Sequence, residues 1–61
     1  MEPPTVREVI QRLEREGWCH VSTKGDHRKY GRDGSSVTVS GKLGDHVRKG
    51  TYASIKRQAG W

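Results

Sequence analysis

The chain has 61 residues, 30% of them apolar, and carries 12 Lys and Arg against 7 Asp and Glu for a formal charge of +5. That length fits a single small domain over residues 1–61 with a thin core, near the lower size at which one folds unaided. No apolar run approaches the roughly 18 residues of a membrane span, MEPP leads straight into an amphipathic segment with no secretory signal, and the single Cys19 excludes an intramolecular disulfide and suits a reducing, cytoplasmic setting.

Thr5-Val6-Arg7-Glu8 reads as a capping box, with Pro3 and Pro4 just outside it. Val6, Val9, Ile10 and Leu13 recur at helical spacing as one apolar stripe, and Gly17 supplies a left-handed cap that lets Trp18 fold back onto Leu13. The first helix is therefore expected over about 6–16. Residues 18–23 suit a short strand with Cys19 and Val21 on one face and His20 and Ser22 on the other.

Lys24-Gly25-Asp26 interrupts, and a second strand follows over 27–31, with His27 and Lys29 on one face and Arg28 and Tyr30 on the opposite one. Asp33-Gly34 is a hairpin signal. In the third strand, 36–40, Val37 and Val39 point inward and Thr38 outward. A loop over 41–50 contributes Lys42, Arg48 and Lys49. Thr51 is read as the cap of a last helix through about Ala59, with Tyr52, Ile55 and Ala59 on one face. Gly60-Trp61 ends this helix as Gly17-Trp18 ends the first, and shared helix-stop chemistry accounts for the echo without an internal repeat.

The predicted order is α-β-β-β-α, an α+β fold whose three-stranded antiparallel sheet carries both helices on one face and leaves the other to water. Tyr30, Val37 and Val39 then face the helices, and His27 and Lys29 lie on the open face. A bulge at Gly25 would change that parity.

The positive excess attracts polyanions, of which nucleic acid is the usual one, while no helix sets a basic face against a wide apolar one as a membrane surface would require. Histidine exchanges protons near neutrality, and His27 follows a glycine turn with Lys24, Arg28 and Lys29 close by. In RNA, a base that removes the 2′-OH proton lets that oxygen attack the adjacent phosphate, and cations and turn amides stabilise the growing charge. Gly25 permits close backbone approach to an anion. Read alone, the same residues also fit an ordinary solvated strand. Arg48 and Lys49 before the last helix suit a phosphate at its N-terminus, or equally a solvated loop. Cys19 and His20 are adjacent and point apart, and with no CxxC or HxxxH pair no zinc site is expected. Trp18, Trp61 and Tyr30 read as core.

In order and spacing, VREVIQRLEREGW, TKGDHRKY, DGSSVTVSG and KGTYASIKRQAGW resemble the HicA toxins of bacterial and archaeal toxin–antitoxin systems, from residue 6 to the last. The resemblance implies a fold like a double-stranded-RNA-binding domain and metal-independent mRNA cleavage by one histidine, which falls on His27. By the same resemblance the partners are RNA and a HicB-like antitoxin, with no DNA bound by this chain alone and no cofactor. Lys24 and Gly25 would hold the scissile phosphate with Arg28 and Lys29 assisting, and Arg48 and Lys49 would position a neighbouring one at the start of the last helix. Asp26 stands where the family usually has serine, and Lys42 where many members carry a second histidine. The competing readings are a non-catalytic RNA-binding module and a basic protein that binds an acidic partner.

Overall fold

A computed structural model describes residues 2–61. The elements run α1 Val6–Arg15, β1 Cys19–Lys24, β2 His27–Arg32, β3 Ser35–Ser40 and α2 Lys49–Ala59. This is the expected α+β order, with an open antiparallel sheet β1-β2-β3 like that of a double-stranded-RNA-binding domain. At the start of α1, the Glu8 amide donates to Thr5 Oγ1 at 3.2 Å and the Thr5 amide donates to Glu8 Oε1 at 2.8 Å. The donation from the Thr5 amide holds the Glu8 carboxyl below the usual carboxylate range. At its end, Gly17 adopts φ +91° and the Trp18 amide reaches back to the Leu13 carbonyl at 2.9 Å. The Trp61 amide makes the same closure onto Lys56 at 2.8 Å, behind Gly60 at φ +76°.

The buried stripe of α1 packs with Trp18, Tyr30, Val37, Val39, Val47, Ile55 and Ala59 in one core, and no polar or charged residue among those described is buried. The Trp18 indole Nε1 has no acceptor there. An orphaned donor of this kind costs about 1–3 kcal/mol, against the larger gain of burying the ring. Burial also raises the Tyr30 phenol above its ordinary value, with the Glu14 charge acting in the same direction.

Residues paired across an antiparallel sheet share a face. His27 lies opposite Lys24 on one side and Ser40 on the other, and Lys29 opposite Ser22 and Thr38. Tyr30, Val37 and Val39 are buried against the helices, so His27 and Lys29 occupy the open face as expected. The bulge lies at Val21, between His20 and Ser22, and not at Gly25. Gly25, at φ +59°, instead turns the chain from β1 into β2.

That bulge separates His20 from Ser22, expected on one face, while Cys19 and Val21 share a face as expected. His20 lies opposite Tyr30 on the helix side, the two rings meeting edge-on at 5.5 Å. Cys19 lies opposite Gly31 on the open face, and Val21 covers Gly31 there, since a Cβ at Gly31 would stand 3.1 Å from Val21 Cγ2. Every residue of β1 is exposed, Val21 at 59%. The opposite edge is covered instead: the Thr38 amide donates to Gln58 Oε1 of α2 at 3.2 Å.

A second correction concerns α2. Thr51 is not its cap. The helix begins at Lys49, with Arg48 as an extended N-cap residue that offers no side-chain hydrogen bond. Val47, buried and held through its amide by the Pro4 carbonyl at 2.9 Å, turns the chain before Thr51 is reached. Val47 and Tyr52 both pack in the core, at the positions of a hydrophobic staple.

Glu16 ties three parts of the chain together. Its Oε1 accepts from Trp61 Nε1 at 2.7 Å, its Oε2 faces Arg12 Nε at 3.2 Å, and its backbone carbonyl accepts from Arg32 Nη1 at 2.8 Å. The Trp61 hydrogen bond above all, then the Arg12 hydrogen bond and the charges of Arg12 and Arg32, hold the Glu16 carboxyl below the usual carboxylate range against partial desolvation. A depressed carboxyl stabilises the fold above its unfolded-state value and loses that contribution as pH falls through its folded-state value. Glu16→Gln should therefore lower the unfolding midpoint at neutral pH. The gap to the wild type should close in acid, below the ordinary carboxylate range, when the two are compared by thermal melts across pH.

Candidate active site

The loop between β3 and α2 is built onto the start of α1. Gly41, at φ +112°, returns its amide to the Asp26 carbonyl at 3.0 Å, and the Asp45 amide closes a turn onto Lys42 at 3.0 Å. The Val6 amide then donates to the Asp45 carbonyl at 2.9 Å and the Arg7 amide to the Leu43 carbonyl at 3.1 Å. With the Thr5 amide on Glu8 Oε1 and the Glu8 amide on Thr5 Oγ1, all four amides that α1 leaves without an intrahelical partner are occupied. At α2 the situation is opposite: among the described residues, no side chain or loop carbonyl accepts from the amides of Lys49, Gly50 or Thr51.

This docking makes one wall of a cleft of about 390 Å³. The sheet end contributes Asp26, His27 and Ser40, and the loop contributes Lys42, Asp45, His46 and Arg48, with Thr51 behind them. His27 is exposed at the first position of β2. Its approach to the loop follows from pairing: His27 opposes Ser40, the last residue of β3, after which the chain turns directly into Gly41.

Of the residues singled out in the sequence, the fold brings His27 and Arg48 into one cleft. Lys24 lies directly across from His27 on β1, and Lys29 lies on the same open face two positions along β2. Gly25 forms the turn beside them. Arg28 projects to the other side of the strand, where its Nη1 donates to the Gly41 carbonyl at 3.1 Å. Lys49 borders a neighbouring cleft with Tyr52 and Lys56.

Three residues escaped the sequence reading. Ser40 and Asp45 are unremarkable in the sequence and reach the cleft only through the hairpin register and the loop docking. His46 read as an ordinary loop residue, yet it pairs with Thr5 in an isolated bridge, and its ring carries Nδ1 2.6 Å from the Pro3 carbonyl and Nε2 3.0 Å from Glu2 Oε2. No local pattern announces a contact spanning that much of the chain. The cleft thus has a second imidazole although Lys42 occupies the position where the resemblance leads one to expect it.

The electrostatics are mixed. Asp26 and Asp45 face the same space as Lys42 and Arg48, so an anion entering it must lie toward the cationic side. Among the described residues no three His, Cys, Asp or Glu side chains are grouped to hold a metal ion, and no helix is long and apolar enough to cross a membrane.

A family model described as "HicA toxin of bacterial toxin-antitoxin" matches residues 6–61. No curated protein and no solved structure matches the chain.

The contrast between Arg28 and Lys29 is directly measurable. Arg28→Ala removes a part-buried, charge-assisted hydrogen bond that anchors Gly41, and should cost about 1.5–3 kcal/mol in denaturant unfolding. Lys29→Ala removes only an exposed cation and should leave the unfolding midpoint within about 0.5 kcal/mol of wild type.

Proposed function

The chain belongs to the HicA toxin family, and from that premise we propose that it is a metal-independent endoribonuclease that cuts mRNA in the cytoplasm with His27 as its catalytic residue. As a family member it is a toxin of a toxin–antitoxin system, and membership implies a HicB-type antitoxin partner. The observation that carries the enzymatic reading is the position of His27: an exposed imidazole at the mouth of a cleft that also holds Arg48 and Lys42.

His27 takes the proton from a ribose 2′-OH, and that oxygen attacks the adjacent phosphorus. The bond to the 5′-oxygen of the next nucleotide breaks, leaving a 2′,3′-cyclic phosphate and a 5′-hydroxyl. The departing oxygen receives a proton from the imidazolium or from water. The substrate supplies its own nucleophile, so the protein needs no activated Ser or Cys. Arg48, with the unoccupied amides at the start of α2, favours a phosphate on the loop side. Lys24 and Lys29 extend positive charge across the open face, and the Gly25 turn lets a backbone approach closely. Arg28 acts from behind by holding Gly41, which borders the cleft. The antitoxin silences the toxin by covering this surface.

Purified protein freed of any partner should cleave single-stranded RNA. His27→Ala should lower the cleavage rate by at least the roughly 10²–10⁴-fold that general acid–base assistance supplies, with fold and RNA affinity nearly unchanged. A 2′-deoxy substitution at the cut position should stop the reaction. Cleavage of DNA would sink the proposed nucleophile. Binding of RNA by the wild type without any cutting would identify a non-catalytic RNA-binding module, and failure to bind or cut would leave a protein whose basic face serves an acidic partner.

A further inference from the structure

A second cleft, of about 430 Å³, adjoins the first across the opening turn of α2 and is lined by Glu2, Pro3, Pro4, Lys49, Tyr52 and Lys56. On a helix, residues three and four apart stack along one face. Arg48 and Thr51 therefore form the row that borders the His27 cleft, while Lys49, Tyr52 and Lys56 form the adjacent row that borders the second. His46 links the two, lining the first cleft while its ring meets Pro3 and Glu2 of the second.

The composition of this second cleft matches one nucleotide. Tyr52 is half-buried, so its ring is held by the core on one side and reaches the cleft on the other. Pro3 and Pro4 offer flat, rigid rings at the cleft wall. Lys49 and Lys56 flank the tyrosine, and the Lys56 ammonium lies 5.0 Å from the ring centroid. Cation–π contact at an exposed site is weaker than stacking of a base on an aromatic ring. An incoming base displaces this flexible ammonium from the ring and frees it for a phosphate. Glu2 is the one acid, and it is drawn toward His46 Nε2 at 3.0 Å.

We infer that this cleft is a nucleotide subsite for single-stranded RNA, in which a base adjoining the cut position stacks on Tyr52 while Lys49 and Lys56 neutralise its flanking phosphates. The inference rests on the ribonuclease reading of the His27 cleft and extends it: the strand crosses the first turn of α2 and is gripped on both sides. Stacking of this kind tolerates any base, so the subsite adds affinity and register more than sequence preference.

The test uses the full chain carrying His27→Ala, which binds without cutting, and a short oligoribonucleotide with 2-aminopurine placed in turn at each position. Binding is followed by anisotropy and stacking by quenching of the 2-aminopurine. Tyr52→Leu keeps an apolar side chain against the core and should weaken binding roughly tenfold. The same change should abolish quenching at one position, while Tyr52→Phe retains both. Lys49→Gln and Lys56→Gln should each reduce the slope of log affinity against log salt by about 0.7, the value for one phosphate on a single strand. Equal affinity and quenching in Tyr52→Leu and Tyr52→Phe would overturn the subsite while leaving the His27 reading intact. Quenching at one position that survives Tyr52→Leu would also overturn it, because this readout does not depend on how stable the variant is. Loss of all RNA binding in the His27→Ala background, together with no cleavage by wild type, would remove both readings.

Discussion

The carbonyls of Leu43 and Asp45 bonding the first amides of α1 are the contact on which the site depends. A helix start normally leaves its leading amides to water or to a capping side chain. Here the Thr5–Glu8 capping box serves two of them and the loop from β3 to α2 serves the others, so the loop is fixed to the helix it closes. The consequence is asymmetric. The start of α1 is filled by the loop backbone and the Thr5–Glu8 pair, and among the described residues nothing accepts from the first amides of α2. One helix terminus is thus closed by architecture, and the other lies open beside the cleft that His27 lines.

The same economy governs the core. A chain of 61 residues with 30% apolar composition has few side chains to bury, and the elements that reach the core do so with only a few residues each. β1 contributes none of its side chains to it, all being exposed, and it is held through its pairing with β2. Rigidity is recovered at the ends of the helices. Two Gly-Trp terminations return the chain onto α1 and α2, and Glu16 connects the first helix end to Trp61 and to Arg32 of β2. Arg12 lies 3.9 Å from the centre of the Trp61 ring and Arg32 4.7 Å from that of Trp18, so cations close over both tryptophans. These contacts lie among α1, β2 and the C-terminal residues, apart from those that line the cleft.

The elements themselves were legible wherever a local signal carried them. The capping box at Thr5, the glycine stops at Gly17 and Gly60, the Asp33-Gly34 turn and the alternation of Val37 and Val39 are short-range chemistry, and each formed. The open-face placement of His27 followed from the same alternation. What was not legible depended on contacts distant in sequence. The bulge at Val21 put His20 and Ser22 on opposite faces, and an extra residue on an edge strand carries no compositional mark. The cap of α2 moved from Thr51 to Arg48 because Val47 is pinned by Pro4, a residue from the other end of the chain. His46 joined the cleft for the same reason, through Thr5 and Pro3. Local chemistry wrote the elements, and tertiary contact decided which loop residues meet His27.

His46 therefore has a different standing from His27 even though both line the cleft. Both ring nitrogens of His46 face oxygen atoms of the N-terminal segment, and either contact would have to break before that nitrogen could serve a substrate. His27 has no such engagement among the described residues and stands exposed at the end of its strand. An imidazole committed to holding Pro3 and Glu2 shapes the boundary between the two clefts, and of the pair only His27 keeps its ring nitrogens free of a protein partner among the described residues. The proposed reaction accordingly calls on one of the cleft's two histidines. Under the proposed function the loop side offers that histidine two cations, Lys42 and Arg48, the latter where the chain leaves the docked loop and enters α2.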